Sequence, residues 1–455
     1  MTTGPIFQKM LIFVLPMMMT NLLQKLYNVA DMIMVGQFSS VEGTVGAIGC
    51  TSAFITLIRN FMIGLSVGTS VIVSQSIGAG DREATRRGVH SSLVMGVLIG
   101  VGSMIIGQVL CRPVLTLMGT GPEFMEMAVT YTRIRFVGLP FTAVLNCSLG
   151  IMRAQGDSTR PLFILSMSGI LNVALNAVFV ILLGMDVDGV AYATLISVVA
   201  STVVAVACLV RDRGVCHVSF KDLRIHPATL RSVLAVGVPS GLQGMLFNIS
   251  NMTIQSAINS LGAEFVSAAS IETNLYGFVF IAGEATSSAA MTFAGQNLGA
   301  KKYNRIMPSL FNSYLIVLMI GGSLAALMFT FLDPLAGLYM NEATSNREVV
   351  LSAIRLIASF RMLFIPLCGL MDCGALMLRG LGRSTLSMVI SLIGACGLRI
   401  VWVYTAFAVV PEPWVLFLSY PLSWVLTGVA QFVCVWATTR KLKREAPSDE
   451  ACAPA

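Results

Sequence analysis

The sequence predicts an all-α polytopic membrane protein with twelve transmembrane helices in two pseudo-symmetric six-helix bundles. Three observations predict it: too few charges for a water-soluble surface, a succession of bilayer-length apolar runs, and a set of short motifs that occurs twice. Of the 455 residues, 56% are hydrophobic and 11% charged, whereas a soluble domain carries about a quarter charged residues. The apolar excess must face lipid. The 41 glycines and 27 methionines suit such a chain, because small residues let helices approach closely and methionine fills irregular gaps.

About 20 apolar residues cross a hydrocarbon core. Taken in order, runs of that kind fall near 10–36, 45–74, 89–110, 125–151, 161–183 and 189–210. A second set falls near 232–260, 265–295, 306–331, 349–378, 386–409 and 413–438. The first run is expected to be retained rather than cleaved as a signal. Lys9 precedes it, but no small-residue cleavage site follows, and the run continues into Asn21, Gln24, Lys25 and Asp31. Short connectors carry turn signals, among them Gly78-Ala79-Gly80-Asp81, Gln155-Gly156-Asp157-Ser158 and Pro411-Glu412-Pro413. The longest polar stretch, Arg211 to Arg231, separates the halves. The expected division is therefore an N-terminal lobe at 1–210, a linker at 211–230, a C-terminal lobe at 231–440 and a tail at 441–455.

Lysine and arginine set the orientation. With the N-terminus in the cytoplasm, 20 of the 29 basic residues fall on the cytoplasmic side, and only Arg112 and Arg347 on the other. The opposite loops are acidic: Glu42, Glu123, Asp186, Asp188, Glu264, Asp333 and Glu412. This predicts a multi-pass protein of the cytoplasmic (cell inner) membrane with both termini inside. It also accounts for the net charge of +7 without a nucleic-acid partner. The ten cysteines include Cys147, Cys373 and Cys396 inside apolar runs, with no CxxC pair, and are read as packing residues. His90, His217 and His226 fall at loops or span ends and form no metal set.

The halves repeat. Gln75-Ser-Ile-Gly-Ala79 ends the second span, and Gln296-Asn-Leu-Gly-Ala300 ends the eighth. Pro140 matches Pro366, and Arg153-x-x-Gly156-x-Ser158-Thr159 matches Arg379-x-x-Gly382-x-Ser384-Thr385. Pro16 matches Pro239, and Asn28 matches Asn251, at offsets of 221 to 226 residues. Six spans per unit make the repeats parallel, a design that opens a cleft to each side in turn. The four repeated prolines lie in expected helices, where they act as static kinks or as hinges for that motion.

These motifs, with Gly64-Leu-Ser-Val-Gly68 and Val73-Ser-Gln-Ser-Ile-Gly-Ala79 in the second span, resemble the signature of the multidrug and toxic compound extrusion (MATE) family. Tyr27-Asn-Val-Ala-Asp31-Met-Ile-Met-Val-Gly36 is similar to that family's first span. Asn172-x-x-x-Asn176 and Gly189-Val-Ala-Tyr-Ala-Thr194 resemble its fifth and sixth, and Thr292-Phe-Ala-Gly-Gln-Asn-Leu-Gly-Ala300 its eighth-span exit. The resemblance covers roughly residues 5 to 440. It implies a two-lobed fold and secondary active export of organic, often cationic, drugs or metabolites in exchange for Na+ or H+. It implies no cofactor beyond the coupling ion. The membrane lipid and a small-molecule substrate are the expected partners, and a monomer suffices.

Asp31 is the leading candidate for coupling. A carboxylate within a span is costly unless it meets a partner, a cation or a proton; burial favours its neutral form and a nearby cation its charged form. Asn172 and Asn176 share a helix face at i and i+4, and amide oxygens are hard ligands suited to small cations. Tyr27 lies one turn before Asp31 on the same face. The family match implies that Asp31, Asn172, Asn176 and Thr194 converge on a cation site that would take Na+; the plain alternative is that the asparagines hydrogen-bond across helices. Where some members carry a second aspartate, this chain has Asn176, as NorM-type members do. At the positions of the NorM-type carboxylates in spans 7 and 10 stand Phe247 and Cys368, with Asp372 one turn on.

Glu272, Glu284 and Asp372 are candidates for a substrate cavity, since an acid there would attract a cation. An ion pair of Glu272 or Asp372 with Arg361 or Arg399 is the competing expectation. Arg59 is read as a packing residue, and Met17, Met18, Met19, Met245 and Met291 as core or lipid-facing. No Walker motif or HExxH occurs, and Gly64-Leu-Ser-Val-Gly68 lies within the second apolar run and is no nucleophile elbow, so an enzyme is not expected. The rival function is a lipid-linked oligosaccharide flippase of related architecture.

Overall fold

A computed structural model describes the backbone of residues 1–38, 44–185, 187–340 and 346–445 and, within these, the side chains outside 28–38, 44–50, 52–53, 124 and 187. Every regular element among them is helical. Eleven helices are long and apolar enough to cross a membrane, and twelve if one bent pair is counted as a span. The expected twelve spans are therefore present.

In the first repeat, α1 (Ile6–Phe38), α2 (Thr44–Gly78) and α3 (Arg82–Leu117) are single long helices. The fourth span is broken: α4 (Pro122–Val137) meets α5 (Leu139–Ala154) at Gly138 with a bend of 44°. Next come α6 (Thr159–Asn176), which runs into a π turn at Ala177–Leu182, and α7 (Val187–Arg211). The second repeat begins with α8 (Pro227–Asn259) and α9 (Ala263–Gly299). Its ninth span is α10 (Ile306–Ile316), a π turn at Val317–Gly321 and α11 (Gly322–Thr330); a short α12 (Leu332–Gly337) follows. The tenth is α13 (Arg347–Arg361) with α14 (Ile365–Gly380). The eleventh is α15 (Ser384–Ser391) and α16 (Leu398–Trp402), each followed by a π turn, and α17 (Pro413–Glu445) is the twelfth.

Two of the four repeated prolines, Pro16 and Pro239, sit inside helices as expected. Pro140 and Pro366 instead occupy the first turn of α5 and α14, where a missing N–H costs nothing. The chain there restarts a helix rather than kinking one.

Packing divides the residues differently from the repeat. Met19–Gly244 form one compact unit, and Met1–Met18 with Met245–Ala455 the other. Against the division expected at the 211–230 linker, the first turns of α1 pack with the second repeat, and α8 up to Gly244 packs with the first. In the former, Met10, Phe13, Val14 and Met17 bury against Ala285, Ala289, Phe293 and Ile316. Lys302 and Arg305 donate to the carbonyls of Thr2 and Gly4 at 3.1 and 2.6 Å. In the latter, Gly64 and Gly68 of α2 lie directly on the backbone of Gly241 and Val233 of α8, so that no Cβ fits between them. The linker is strapped to α3: Arg86 pairs with Asp222, and the Ser219 N–H donates to His90 Nε2 at 3.1 Å. The Arg86 guanidinium holds the Asp222 carboxyl below its ordinary range.

The repeated loop motifs prove to be helix stops. Gly156 and Gly382 have φ of +89° and +76°. The Asp157 N–H reaches back to Met152 O at 3.1 Å, and that of Arg383 to Leu378 O at 2.8 Å, the pattern that closes a helix C-terminus with a left-handed residue. The Gln-x-x-Gly-Ala exits do the same with Gly80 at φ +70° and, in the second repeat, Lys301 at φ +58°. A left-handed non-glycine residue costs about 1–2 kcal/mol. Gly156→Ala and Gly382→Ala are each expected to destabilise by about 1 kcal/mol, and Lys301→Gly to stabilise by a similar amount. Thermal unfolding of the detergent-solubilised protein checks this, and equal signs for the three variants would contradict it.

Candidate functional site

In the unit formed by Met19–Gly244, the expected polar residues of α6 and α7 meet. Asn172 Nδ2 lies 3.4 Å from Thr194 Oγ1, and Asn176 Nδ2 lies 3.4 Å from Asn172 Oδ1. Thr194 in turn donates to Val190 O at 3.0 Å. Asn172 is 8% exposed and Asn176 fully buried. Distances of 3.4 Å exceed the usual 2.7–3.2 Å for N–H···O. The group thus gathers amide and hydroxyl oxygens in one buried place.

Tyr27 is anchored beside this group. Its hydroxyl donates to Ser166 O at 3.2 Å, and its ring lies flat against Gly169, where a Cβ would collide with it. Gly169 is one turn before Asn172 on α6, so α1 is registered against α6 at the level of the polar group. Asp31 belongs to α1, one turn beyond Tyr27, and its side chain lies outside the described residues. A cavity of about 50 Å³ is lined by Thr194 together with Arg59, Arg135, Thr142 and Leu195 among others, with room for a few waters. Arg59 thus stands on a cavity wall, not only in packing. Arg135 was not singled out from the sequence.

The second repeat holds a different cluster. Glu272 on α9 is fully buried and pairs with Arg361 on α13 at 2.7 Å. Arg361 also donates to Thr273 Oγ1 at 3.2 Å and lies 4.7 and 4.9 Å from the rings of Tyr276 and Tyr420. Arg399 lies 4.4 Å from Tyr420 and 5.7 Å from Trp424, and its Nε donates to Ser423 Oγ at 2.9 Å. Asp372 is half-buried with the Cys368 thiol 4.0 Å away, and Tyr276 Oη is 4.0 Å from that same sulfur. Of the three acids expected to line a substrate cavity, Glu272 is held in an ion pair, Asp372 adjoins the cluster, and Glu284 is exposed on α9. The two competing expectations for Glu272 are thus resolved toward the pair with Arg361. Tyr276, Tyr420, Ser423 and Trp424 were missed, because an aromatic or serine in an apolar run carries no pattern of its own.

Among the described residues no group of three or more histidine, cysteine or acidic side chains could hold a metal ion. Breaking a buried pair strands its partner at a cost of about 3–5 kcal/mol. Arg361→Met should destabilise by that much, and adding Glu272→Gln should recover most of the loss. Denaturant unfolding of the four proteins of this cycle measures it, and a strictly additive result would show that the pair is not coupled.

The family model MatE matches residues 16–178 and 239–405, one segment in each repeat. A probable multidrug resistance protein of Bacillus subtilis, YoeA, is 27% identical over 346 residues, 74% of each chain. An FAD transporter of Shewanella oneidensis is 23% identical over 70% of each. Among solved structures, one described as the outward-facing conformation of a multidrug resistance MATE family transporter superposes with a TM-score of 0.90, at 22% identity and 97% coverage of both chains.

Proposed function

Because this chain belongs to the MatE family of membrane transporters, we propose that it is a secondary antiporter, exporting organic compounds, cationic ones included, in exchange for Na+ or H+ by alternating access. The observation that carries the reading is the buried group of Asn172, Asn176 and Thr194, with Tyr27 fastened to the same helix. Three neutral oxygen-bearing side chains supply ligands but no charge. A carboxylate must complete the site if it is to hold a cation, and Asp31, one turn beyond Tyr27, is that residue in our reading. Na+ would bind the oxygens of Asp31, Asn172, Asn176 and Thr194; H+ would bind Asp31 alone. Either ion neutralises the acid inside a low-dielectric lobe, which is what makes its occupancy sensitive to the membrane gradient.

The relatives named for multidrug resistance and for FAD transport support export of bulky organic molecules. The excess of basic residues on alternate loops supports placement in the cytoplasmic membrane with both termini inside. No organic cofactor is required, and a single chain carries both lobes.

Efflux of ethidium from drug-sensitive bacteria, at matched membrane levels and under imposed Na+ or proton gradients, tests the reading. Wild-type export should follow one gradient, and Asp31→Asn should abolish it. Asn172→Ala removes one ligand and leaves the acid. It should raise the ion concentration needed for half-maximal export by about tenfold, or about 1.4 kcal/mol. Export indifferent to Asp31→Asn would remove the coupling site, and an absence of export in the wild type would favour the flippase reading.

A further inference from the structure

The last span, α17, has one buried flank and one exposed flank. Gln431, Val435 and Thr439 are buried; Gln431 donates to Ser391 Oγ at 2.9 Å, and Val435 packs with Ile306, Leu310 and Met377. On the opposite flank, at helical spacing, Val429, Val433 and Trp436 are 58, 50 and 46% exposed. Arg440 and Arg444 continue that flank to the end of the helix and are exposed as well.

Two tryptophans mark the depth of the bilayer on this helix. Trp414, near its start, is 47% exposed. Its separation from Trp436 along the axis is about 33 Å at 1.5 Å per residue, close to a hydrocarbon core of about 30 Å. Tryptophan favours the edges of that core because its ring is apolar and its N–H is polar. The two edges differ in charge. Trp414 stands beside Glu412, whereas Trp436 is followed by Arg440, Lys441, Lys443 and Arg444. Glu445 pairs with Lys441 at 3.7 Å. Arg440, Lys443 and Arg444 have no carboxylate within 4.0 Å among the described residues.

Depth singles out Arg440. A headgroup layer is about 5–7 Å deep, and Arg440 lies about 6 Å beyond Trp436 along the axis, whereas Lys443 and Arg444 lie about 10 and 12 Å beyond it. The Arg440 guanidinium is 5.3 Å from the centre of the Trp436 ring. This cation–π contact holds the charge back at the membrane edge instead of letting it extend into water. A guanidinium at that level, with donors spaced for phosphate oxygens, adjoins an apolar flank long enough for an acyl chain.

We propose that the Trp436–Arg440 end of α17 is a binding site for an anionic phospholipid: Arg440 takes the phosphate, an acyl chain lies along Val433 and Val429, and Lys443 and Arg444 favour a headgroup without a cation of its own. A zwitterionic lipid presents the same phosphate but brings an ammonium that the three basic side chains repel. Free phosphate has no chain to lay on the apolar flank. The site is independent of what the protein transports.

Quenching of tryptophan by lipids with brominated acyl chains tests the site in a bilayer. The full-length protein is reconstituted in equal mixtures of phosphatidylglycerol and phosphatidylcholine, with the bromines on one lipid or on the other. The Trp436 signal is the difference between wild type and Trp436→Phe. Brominated phosphatidylglycerol should quench that signal more strongly, by an amount that corresponds to about a fivefold preference, which is what one basic residue near an anionic surface supplies. Arg440→Gln should reduce the preference to about twofold or less. The Trp414 signal, obtained in the same way from Trp414→Phe, should show no preference for phosphatidylglycerol. Where Arg440→Gln fails to fold, the contrast between Trp436 and Trp414 still decides. Equal quenching of the Trp436 signal by the two lipids overturns the proposal, as does a preference that survives Arg440→Gln. The same preference at Trp414 also overturns it, because net charge alone would then account for the effect.

Discussion

Inside a hydrocarbon core a polar group has no water to turn to, and the architecture of this protein follows from that constraint. The backbone solves it by remaining helical almost throughout the described residues. Most hydroxyls solve it locally: Ser148, Ser197, Thr286 and Thr439 each donate to the carbonyl four residues back. These contacts need no partner helix, which lets serine and threonine appear at many positions without disturbing packing. Some amides do the same, as Asn297 does with Phe293 O; other amides and the charges gather where two or more helices bring donors and acceptors together, as in the two clusters described above. Where α2 and α8 meet, the same constraint acts through shape, since Gly64, Gly68 and Gly241 let backbones touch and dispersion takes the place of a hydrophobic drive that lipid does not supply.

Much of this was legible in the residues. Twelve apolar runs became twelve spans because length and hydropathy alone decide that question. The paired Arg-x-x-Gly motifs were visible as a repeat, and the structure gives their physical content: a glycine at φ near +80° that only a residue without Cβ adopts freely. Asn172, Asn176 and Thr194 were recognisable because amides at i and i+4 in an apolar run must face something polar, and the sixth-span threonine entered through family resemblance. Other features left no trace. The break at Gly138 and the π turns after Asn176 and Ser391 depend on how neighbouring helices pack, not on the local run. Division of the chain after Met18 and Gly244 is likewise a tertiary fact, since a continuous helix carries no mark showing where its packing partner changes. Asp31 was conspicuous in the sequence, but its side chain lies outside the described residues, and its role rests on its helix, its spacing from Tyr27 and its chemistry.

The repeats began as one unit and now carry different polar interiors. In the first, the fifth span offers two buried neutral amides. In the second, the matching eleventh span offers Arg399, and the surrounding helices add Glu272, Arg361 and Asp372. The helical scaffold tolerates this divergence because what it conserves is geometry: the left-handed stops, the proline positions and the π turns at Ala177–Leu182 and Val403–Phe407. Side chains facing the interior of each bundle could change without altering that geometry.

That difference has a physical consequence. In the proposed reading, neutral amides supply oxygens without charge, so the first cluster responds to an ion only through the acid on the neighbouring helix. Formal charges at 2.7 Å within a buried aromatic surround cannot be rearranged without stranding a partner, so the second cluster is rigid. Selectivity for a substrate needs rigidity, because discrimination arises from the penalty for leaving a fixed group unpaired. Response to an ion gradient needs the opposite, a site whose two occupancies differ little in free energy, because an ion shifts an equilibrium only by its differential affinity. One uncharged cluster and one ion-paired cluster thus give the two halves of a duplicated fold polar interiors that rearrange at different cost.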